Sequence, residues 1–300
     1  MGNHTANISQ NTDFSPECYY DKNGTYVAKN QCFFKITNNN ECHNGYQYKN
    51  GLNILNVEFE PHGSCAIGGL YFTTEQYIFD FLDYGCYLRE VYLPEDCMWT
   101  IDPLGNKFRS NKIILGQRHS LVDLSTVKML VEKGADFDNG AILVYASEKG
   151  YADIVRYLLE KGANSHLSEA LTLASEHGHF EIVKMLVGKI GCVNNRPSLH
   201  DGAQAIMNSG FRPNTDLALM AACHAGNLRI VKYLHTHSIN INVCDGRNLL
   251  IVCEKGYIDI LEYLVVHRIS IKYYHIALEL AHNKKQHHIV QYLMMLSKNN

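Results

Sequence analysis

The stretch Ala170–Val187, ALTLASEHGHFEIVKMLV, carries the clearest structural pattern in this chain. It contains two short apolar segments on either side of Gly178. In the second segment, Ile182, Val183 and Leu186 have the spacing that places side chains on one face of a helix. Glycine between two helices supplies the left-handed backbone conformation that a tight turn needs. The stretch therefore predicts two antiparallel helices joined by a turn.

The second of these helices recurs along the C-terminal two-thirds of the chain. The hexapeptides TVKMLV, IVRYLL, IVKMLV, IVKYLH, ILEYLV and IVQYLM begin at residues 126, 154, 182, 230, 260 and 289, and each has leucine as its fifth residue. Successive copies lie 28, 28, 48, 30 and 29 residues apart. A repeated amphipathic helix predicts an array of stacked helical units.

A shorter apolar segment and a turn glycine precede most copies. The glycine lies four residues before the hexapeptide in four units: Gly150, Gly178, Gly226 and Gly256. One position of the shorter segment holds a small or β-branched residue in every unit: Ala146, Ala174, Ala222, Val252 and Ala281. A small residue there allows two helices to approach closely, so each unit is predicted to be a helix pair.

A helix, a glycine turn, a second helix and a Gly-Ala-Asp or Gly-Ala-Asn exit resemble the ankyrin repeat. The resemblance covers about residues 121–295 and implies an α-helical ankyrin solenoid over residues 119–300, with about five to six repeats. The tetrapeptide T-P-L-H that opens many ankyrin repeats is absent, and the period is shorter than the usual ~33 residues. Shortened loops between units are therefore expected.

One interval is longer than the others. About twenty extra residues separate the third and fourth hexapeptides, within residues 188–216, and they include Pro197 and Pro213. This insertion is either a long loop or a decayed repeat that retains one helix near residues 200–208.

The N-terminal third has a different pattern. Residues 1–31 have few large aliphatic side chains and are expected to form a flexible tail. Residues 32–118 contain short β-like strings (CFFKI, LNILNVEF, CAIGGLYF, YLREVYLP and MWTI) and one helical string, EQYIFDFLDYG, after Thr74. They predict a small α+β domain. We expect it to pack on the first repeated helix, because Val127 and Leu130 have no earlier repeat to cover them.

The short period, the Asn- and Tyr-rich composition and the separate N-terminal domain resemble the ankyrin-repeat proteins of amoeba-infecting giant DNA viruses of the mimivirus type. The strings GGLYFT, YLREVYLP and FRSNKIIL are similar to an N-terminal module that those viral proteins share. The resemblance implies an architecture and no particular activity. For a viral protein of this kind, the expected location is the host cytoplasm.

Composition excludes several classes of protein. The net charge of -3, without a basic stripe, argues against a nucleic-acid-binding protein. No apolar run reaches the ~18–20 residues that span a bilayer, so no membrane partner is expected. The first ten residues lack the features of a secretory signal, which predicts a soluble intracellular protein with reduced thiols. The ten cysteines contain no C-x-x-C pair, which argues against zinc-ribbon and thioredoxin-like sites.

The common sequence motifs of metalloproteases, serine hydrolases and P-loop proteins are absent as well. The strings H-E-x-x-H, G-x-S-x-G and G-x-x-x-x-G-K-[ST] do not occur. His177 and His179 could be read as metal ligands, but they lie in the predicted turn, and no third ligand stands at helical spacing. His235 and His237 are interpreted as solvated residues at a helix end. We therefore predict no catalytic residue, no cofactor and no metal.

Function is accordingly expected on the surface of the solenoid. The three residues before each turn glycine vary between units, which suits recognition of a partner on a fixed scaffold. The candidate partner-binding residues are Glu148, Lys149, Glu176, His177, His224, Glu254 and Lys255. They predict a non-enzymatic protein–protein interaction module that binds a protein, expected to be a host protein, on its concave surface.

Two alternatives remain open. Poxvirus ankyrin proteins link targets to the host ubiquitin machinery through a C-terminal F-box-like segment, for which this sequence leaves no room after the last repeat. An adaptor role would therefore use the N-terminal domain. Alternatively, residues 32–116 could house an enzyme, which would require a polar cleft with an acid, base or thiol of shifted pKa.

Overall fold

The computed structural model describes residues 18–20, 25–28, 33–62, 68–102, 106–194, 213–237 and 239–299. The chain divides into two compact units, Met1–Phe137 and Asp138–Asn300. The first unit is rich in strands and the second consists of helix pairs.

The first unit is built on antiparallel strands. Their bounds are β1 Cys18–Tyr20, β2 Thr25–Ala28, β3 Phe33–Thr37, β4 Cys42–His43, β5 Tyr46–Gln47, β6 Gly51–Ile54, β7 Leu70–Thr74, β8 Tyr87–Pro94, β9 Trp99–Ile101, β10 Phe108–Ser110 and β11 Lys112–Ser120. A 3-10 helix, Glu75–Tyr84, follows β7, and the helix α1, Leu124–Glu132, follows β11.

Nine of these strands form one sheet in the order β1-β2-β8-β3-β7-β10-β9, and β11 pairs with both β8 and β6. The strands β4 and β5 form a separate hairpin. The core of the sheet centres on Phe33, whose ring packs edge-on against Phe72 and Phe108 at centroid distances of 5.2 and 5.4 Å. Such edge-to-face aromatic packing gives this small domain a specific core.

The N-terminal strands agree in part with the sequence analysis. The string YLREVYLP coincides with β8, whereas the predicted helix after Thr74 is a 3-10 helix. Two segments inside the predicted tail form strands, and β2 pairs with β8 so that Tyr26 lies opposite Leu93. Their Tyr- and Val-containing sequences favour extended backbone. Residues 63–67, which include the first three residues of the predicted string CAIGGLYF, and residues 103–105 lie outside the described residues.

The second unit consists of helices joined by short turns. Their bounds are α2 Ala141–Lys149, α3 Ala152–Lys161, α4 Leu167–Glu176, α5 Phe180–Asn194, α6 Pro213–Ala225, α7 Leu228–Thr236, α8 Val243–Gly246, α9 Asn248–Lys255, α10 Ile258–Val266, α11 Tyr274–Asn283 and α12 His287–Asn299. The turn glycines between paired helices have the expected left-handed conformation, for example Gly150 with φ of 82°.

The pairs stack in two layers. The first helices α2, α4, α6, α9 and α11 pack successively against one another, and the second helices α3, α5, α7 and α10 do the same. All six leucines at the fifth position of the hexapeptides are buried: Leu130, Leu158, Leu186, Leu234, Leu264 and Leu293. The small residues of the first helices, from Ala146 to Ala281, are buried too. The predicted solenoid and the register of its repeats are confirmed.

The insertion does not separate the repeats that flank it. The helix α6 packs directly against α4, and α7 packs against α5. The units on either side of the insertion are therefore direct neighbours in the stack. The helix predicted near residues 200–208 lies outside the described residues.

The first repeated helix, α1, belongs to the first unit. The backbone N–H of Leu121 donates to the Cys86 carbonyl at 2.8 Å, and that of Asp136 donates to the Gln76 carbonyl at 3.3 Å. These bonds tie the segments before and after α1 to the 3-10 helix and to the turn that follows it. The compact units divide after Phe137, and the domain boundary expected between residues 118 and 119 stays a prediction.

Candidate functional site

The candidate partner-binding residues all lie at the C-terminal ends of first helices. Lys149, Glu176, His177, His224 and Lys255 are exposed, and Glu148 and Glu254 are half-buried. Because α2, α4, α6 and α9 pack side by side, the stack brings these helix ends next to one another. The candidate residues therefore follow one edge of the first-helix layer.

A second row of residues shares the same helix face. Side chains at i, i+4 and i+7 lie along one side of a helix. Three residues before Glu148, Glu176, His224 and Glu254 comes a half-buried apolar residue in each repeat: Tyr145, Leu173, Ala221 and Ile251. Leu280 occupies this position in the last pair, and Leu217, four residues before Ala221, has 53% of its surface exposed. We call the first-helix face this apolar row together with the polar row Glu148, Glu176, His224 and Glu254; the other three candidates lie one residue further along, at the helix ends.

The residues immediately before the candidates are not part of this face. Ser147, Ser175, Cys223 and Cys253 were grouped with the variable surface residues in the sequence analysis, but each is completely buried. They lie next to the small core residues of the first helices, where neighbouring helices leave room only for short side chains. The buried Ser175 hydroxyl donates a hydrogen bond to the Leu171 carbonyl at 2.7 Å, so it is not left without a partner.

Burial also determines the protonation state of three cysteines, Cys97, Cys223 and Cys253. It raises the pKa of the Cys223 and Cys253 thiols to about 12, and it raises the pKa of Cys97 as well. These thiols are protonated at neutral pH and serve as small apolar packing groups. None of them is an activated nucleophile.

The residue immediately before the second helix reaches back to the preceding repeat in three units. His179 Nε2 lies 2.9 Å from the Glu148 carbonyl oxygen, and Asn227 Nδ2 donates to the Ser175 carbonyl at 2.9 Å. Gln286 Nε2 makes the equivalent bond to the Glu254 carbonyl at 3.4 Å. These side chains satisfy carbonyl groups that a helix end leaves without partners. His179 is thus a turn residue that links repeats.

His177 also has a local role, since its Nδ1 lies 3.0 Å from the Leu173 carbonyl oxygen. Within the described ranges, no group of three or more His, Cys, Asp or Glu side chains could hold a metal ion.

The charges of the first-helix face are only partly paired. Glu148 forms an ion pair with Lys149 at 2.7 Å, and Glu254 forms one with Lys284 at 3.2 Å. Glu176 has no ion pair among the residues that the structure describes. Exposed pairs of this kind contribute little to stability, typically ~0–1 kcal/mol. The carboxylates are therefore available to a partner at little cost to the fold.

A histidine–tyrosine cluster on the second helices was missed by the sequence analysis. His235 Nδ1 lies 2.8 Å from the Tyr263 hydroxyl, and the His235 ring is 4.9 Å from the ring of His267. Burial, together with the nearby His267, lowers the pKa of His235 below its usual value. His235 is half-buried in the last turn of α7 and contacts the next repeat, whereas the predicted solvated position holds for His237, which is exposed.

None of the helices that the structure describes has the length and apolar character needed to cross a membrane.

Comparison with known proteins agrees with this architecture. The family model for ankyrin repeats in three copies matches residues 119–198, 192–276 and 219–300. A protein of Acanthamoeba polyphaga mimivirus named as an ankyrin repeat protein is 44% identical over 129 residues, which is 41% of this chain and 64% of that protein. A second such mimivirus protein is 39% identical over 148 residues, which is 44% of this chain and 48% of that protein.

A third mimivirus relative, described as an uncharacterised protein, is 44% identical over 130 residues, which is 41% of this chain and 94% of that protein. The matched region is thus nearly the whole of this relative and about half to two-thirds of the other two. The family match covers more than half of the chain and coincides with the stacked helix pairs. The chain belongs to the ankyrin-repeat family.

Proposed function

We propose that this protein is a non-enzymatic interaction module that binds a protein partner on its first-helix face. The observation that carries the proposal is the composition of that face. A row of half-buried apolar side chains runs beside a row of carboxylates and a histidine, on one side of successive helices. Apolar residues at the centre and polar residues at the rim are the usual anatomy of a protein interface.

The scaffold supports the same proposal. In stacked repeats, the first helices line an extended, concave surface whose side chains can vary without disturbing the core. The candidate residues Glu148, Glu176, His224 and Glu254 lie outside the buried positions, so their identity is not dictated by folding. Ankyrin repeats generally serve as protein-interaction modules, and the mimivirus relatives make a protein of the infected amoeba the expected partner.

The face also indicates the chemistry of the partner. Three of the four residues in its polar row are carboxylates, Glu148, Glu176 and Glu254. A segment with apolar side chains flanked by lysine or arginine would complement it. Such rim charges act mainly on the association rate and on specificity.

Site-specific photo-crosslinking in infected amoebae tests the proposal. A photoreactive amino acid is introduced at Leu173 on the first-helix face or at Arg156, which is exposed on the second helix α3. We expect a discrete crosslinked partner from position 173 and none from position 156. Equal labelling from both positions would contradict the assignment of the face.

Charge reversal provides an independent test. The triple variant Glu148→Lys, Glu176→Lys, Glu254→Lys should lose the partner identified by crosslinking. The matched control reverses Glu160, Glu181 and Glu262 on second helices, which changes the net charge equally. Unchanged capture by the first variant would place binding elsewhere. Capture of ubiquitin-ligase components by residues 1–137 alone would favour the adaptor alternative instead.

A further inference from the structure

A cleft in the first unit opens where two strands separate. β3 pairs with β8 over five residues, but it pairs with β7 only at Phe33 and Phe34, opposite Thr74 and Thr73. Beyond Phe34 the ladder between β3 and β7 ends. The Lys35 ammonium group occupies the gap and donates to the Tyr71 carbonyl at 3.0 Å.

Lys35 is an unusual residue for this position. Only 5% of its surface is exposed, and its Nζ lies 4.5 Å from the centre of the Tyr48 ring. Among the residues that the structure describes, no carboxylate pairs with it. Burial without a counter-ion lowers the pKa of Lys35 to about 7. An ammonium group has three donor positions, and one carbonyl bond leaves donor capacity at the cleft.

The rest of the cleft is basic and aromatic. Its volume is about 80 Å³, and its ten lining residues include Lys35, His43 and Lys107 but no aspartate or glutamate. Lys107 is partly engaged by Asp102, at 3.8 Å. Apolar walls come from both sides of the gap, including Phe72 on β7 and Phe81 in the 3-10 helix. A space of this size accommodates a small group such as a carboxylate, since one water molecule needs only ~10–15 Å³ of such volume.

A larger cleft of about 570 Å³ shares three lining residues with the first, His43, Asn44 and Tyr71. Its other walls are mainly aromatic and aliphatic, among them Tyr46 and Leu55. The hairpin of β4 and β5 holds His43 and Tyr46 on either side of the turn Asn44-Gly45. Both turn residues have positive φ, 51° and 77°, which is the conformation that an Asn-Gly hairpin favours.

We infer that these two adjoining clefts form a binding site for an amphipathic carboxylate, with the carboxylate paired to Lys35 and the apolar body against Tyr46 and Leu55. A buried cation without a counter-ion is costly, and an anionic ligand removes that cost. The ligand's carboxylate accepts a charged hydrogen bond from Lys35 and is neutralised by it. This site lies in the first unit and is independent of the interaction proposed for the first-helix face.

Binding of 3-phenylpropanoate to the full-length chain, measured by calorimetry and ligand-observed NMR at pH 6.5, tests the site. The uncharged analogue 3-phenylpropanamide has the same shape without the charge. We expect the carboxylate to bind about tenfold or more tightly than the amide, the effect of one charged hydrogen bond. Equal binding of the two compounds, or no binding of either at millimolar concentration, would overturn the inference.

A matched pair of variants tests whether Lys35 is responsible for the preference for the carboxylate. Lys35→Met keeps the length and apolar stem of the side chain, whereas Lys49→Met removes an exposed lysine of the same unit. We expect Lys35→Met to abolish the preference for the carboxylate and Lys49→Met to retain it. A preference that survives Lys35→Met would contradict the assignment.

A peptide ending in phenylalanine distinguishes a free small molecule from a protein C-terminus as the natural source of the carboxylate. Binding of the peptide with a free C-terminus but not of its amidated form would show that the site also accepts a chain end. Binding of 3-phenylpropanoate alone would restrict the site to small molecules.

Discussion

His179 Nε2 lies 2.9 Å from the carbonyl oxygen of Glu148, the next-to-last residue of the first helix in the preceding repeat. The His179 ring also covers Gly150, where an added Cβ would come within 2.6 Å of it. The turn of one repeat is thus fastened to the helix end of the one before it. Asn227 and Gln286 make the same link in later repeats.

Removal of this link should weaken the stack. His179→Ala loses one hydrogen bond and leaves the Glu148 carbonyl without its partner, so we expect a loss of about 1–2 kcal/mol in the free energy of unfolding. His179→Asn should recover part of the lost stability, because Asn227 makes the equivalent hydrogen bond in a later repeat. His177→Ala, at an exposed position, should stay within ~0.5 kcal/mol. Denaturant unfolding of the three variants measures these values, and an equal loss in both alanine variants would refute the link.

The repeat register predicts a sharp contrast within one helix. Leu186 is completely buried between units, so Leu186→Ala should cost about 2–5 kcal/mol, as buried leucine truncations do. Lys184 lies on the exposed side of α5, where it pairs with Glu181 at 3.1 Å. Lys184→Ala should change stability by no more than ~0.5 kcal/mol. Chemical denaturation followed by circular dichroism gives both numbers, and similar costs would mean that the register is wrong.

The division of the chain after Phe137 predicts which fragments fold. Residues 138–300 should form a helical unit with a cooperative thermal transition, because each repeat contacts only its neighbours. Residues 1–118 should be less stable than residues 1–137, because they lack α1. Circular dichroism and thermal melts of the fragments test both statements. An unfolded 138–300 fragment, or equal stability of the two N-terminal fragments, would argue against this boundary.

Lys35 predicts a pH-dependent stability of the first unit. Its pKa is about 7 in the folded chain, against an ordinary value of 10.5. Below pH 7 the lysine is charged in both states, and the full cost of burying it weakens the fold. Between about pH 7 and 10.5 the unfolded state binds more protons, so the stability from this group rises with pH.

Lys35→Met removes this dependence. The variant should melt at least about 5 °C above the wild type at pH 6, and the difference should shrink as the pH approaches 10. Differential scanning calorimetry over this range measures it, and Lys49→Met serves as the control. A constant difference at every pH would show that the Lys35 charge is not the cause.

The solenoid follows from local patterns in the sequence. A leucine at a fixed position of six amphipathic hexapeptides, a small residue in the partner helix and a glycine four residues before the second helix are local requirements of a helix pair. Periodicity reports them directly, because side chains on one face of a helix recur at three- and four-residue spacing. The same reasoning placed Glu148, Glu176 and Glu254 at exposed or half-buried helix ends, where the structure has them.

The contacts between neighbouring units, by contrast, depend on long-range packing. Ser147 and Cys223 lie beside the turn like surface residues, yet they are buried, because the next helix in the stack covers them. His179 contacts a residue 31 positions earlier, a distance along the chain that no local pattern reports.

The same limit applies to the cleft of the first unit. A lysine between Phe34 and Ile36 in a β-like string gives no hint of its role. The cleft beside Lys35 exists because β3 and β7 separate after two paired residues. The separation of two strands depends on the packing of the whole sheet. Local sequence determines on which face of a helix or strand a side chain lies. Long-range packing determines which other residues contact that face.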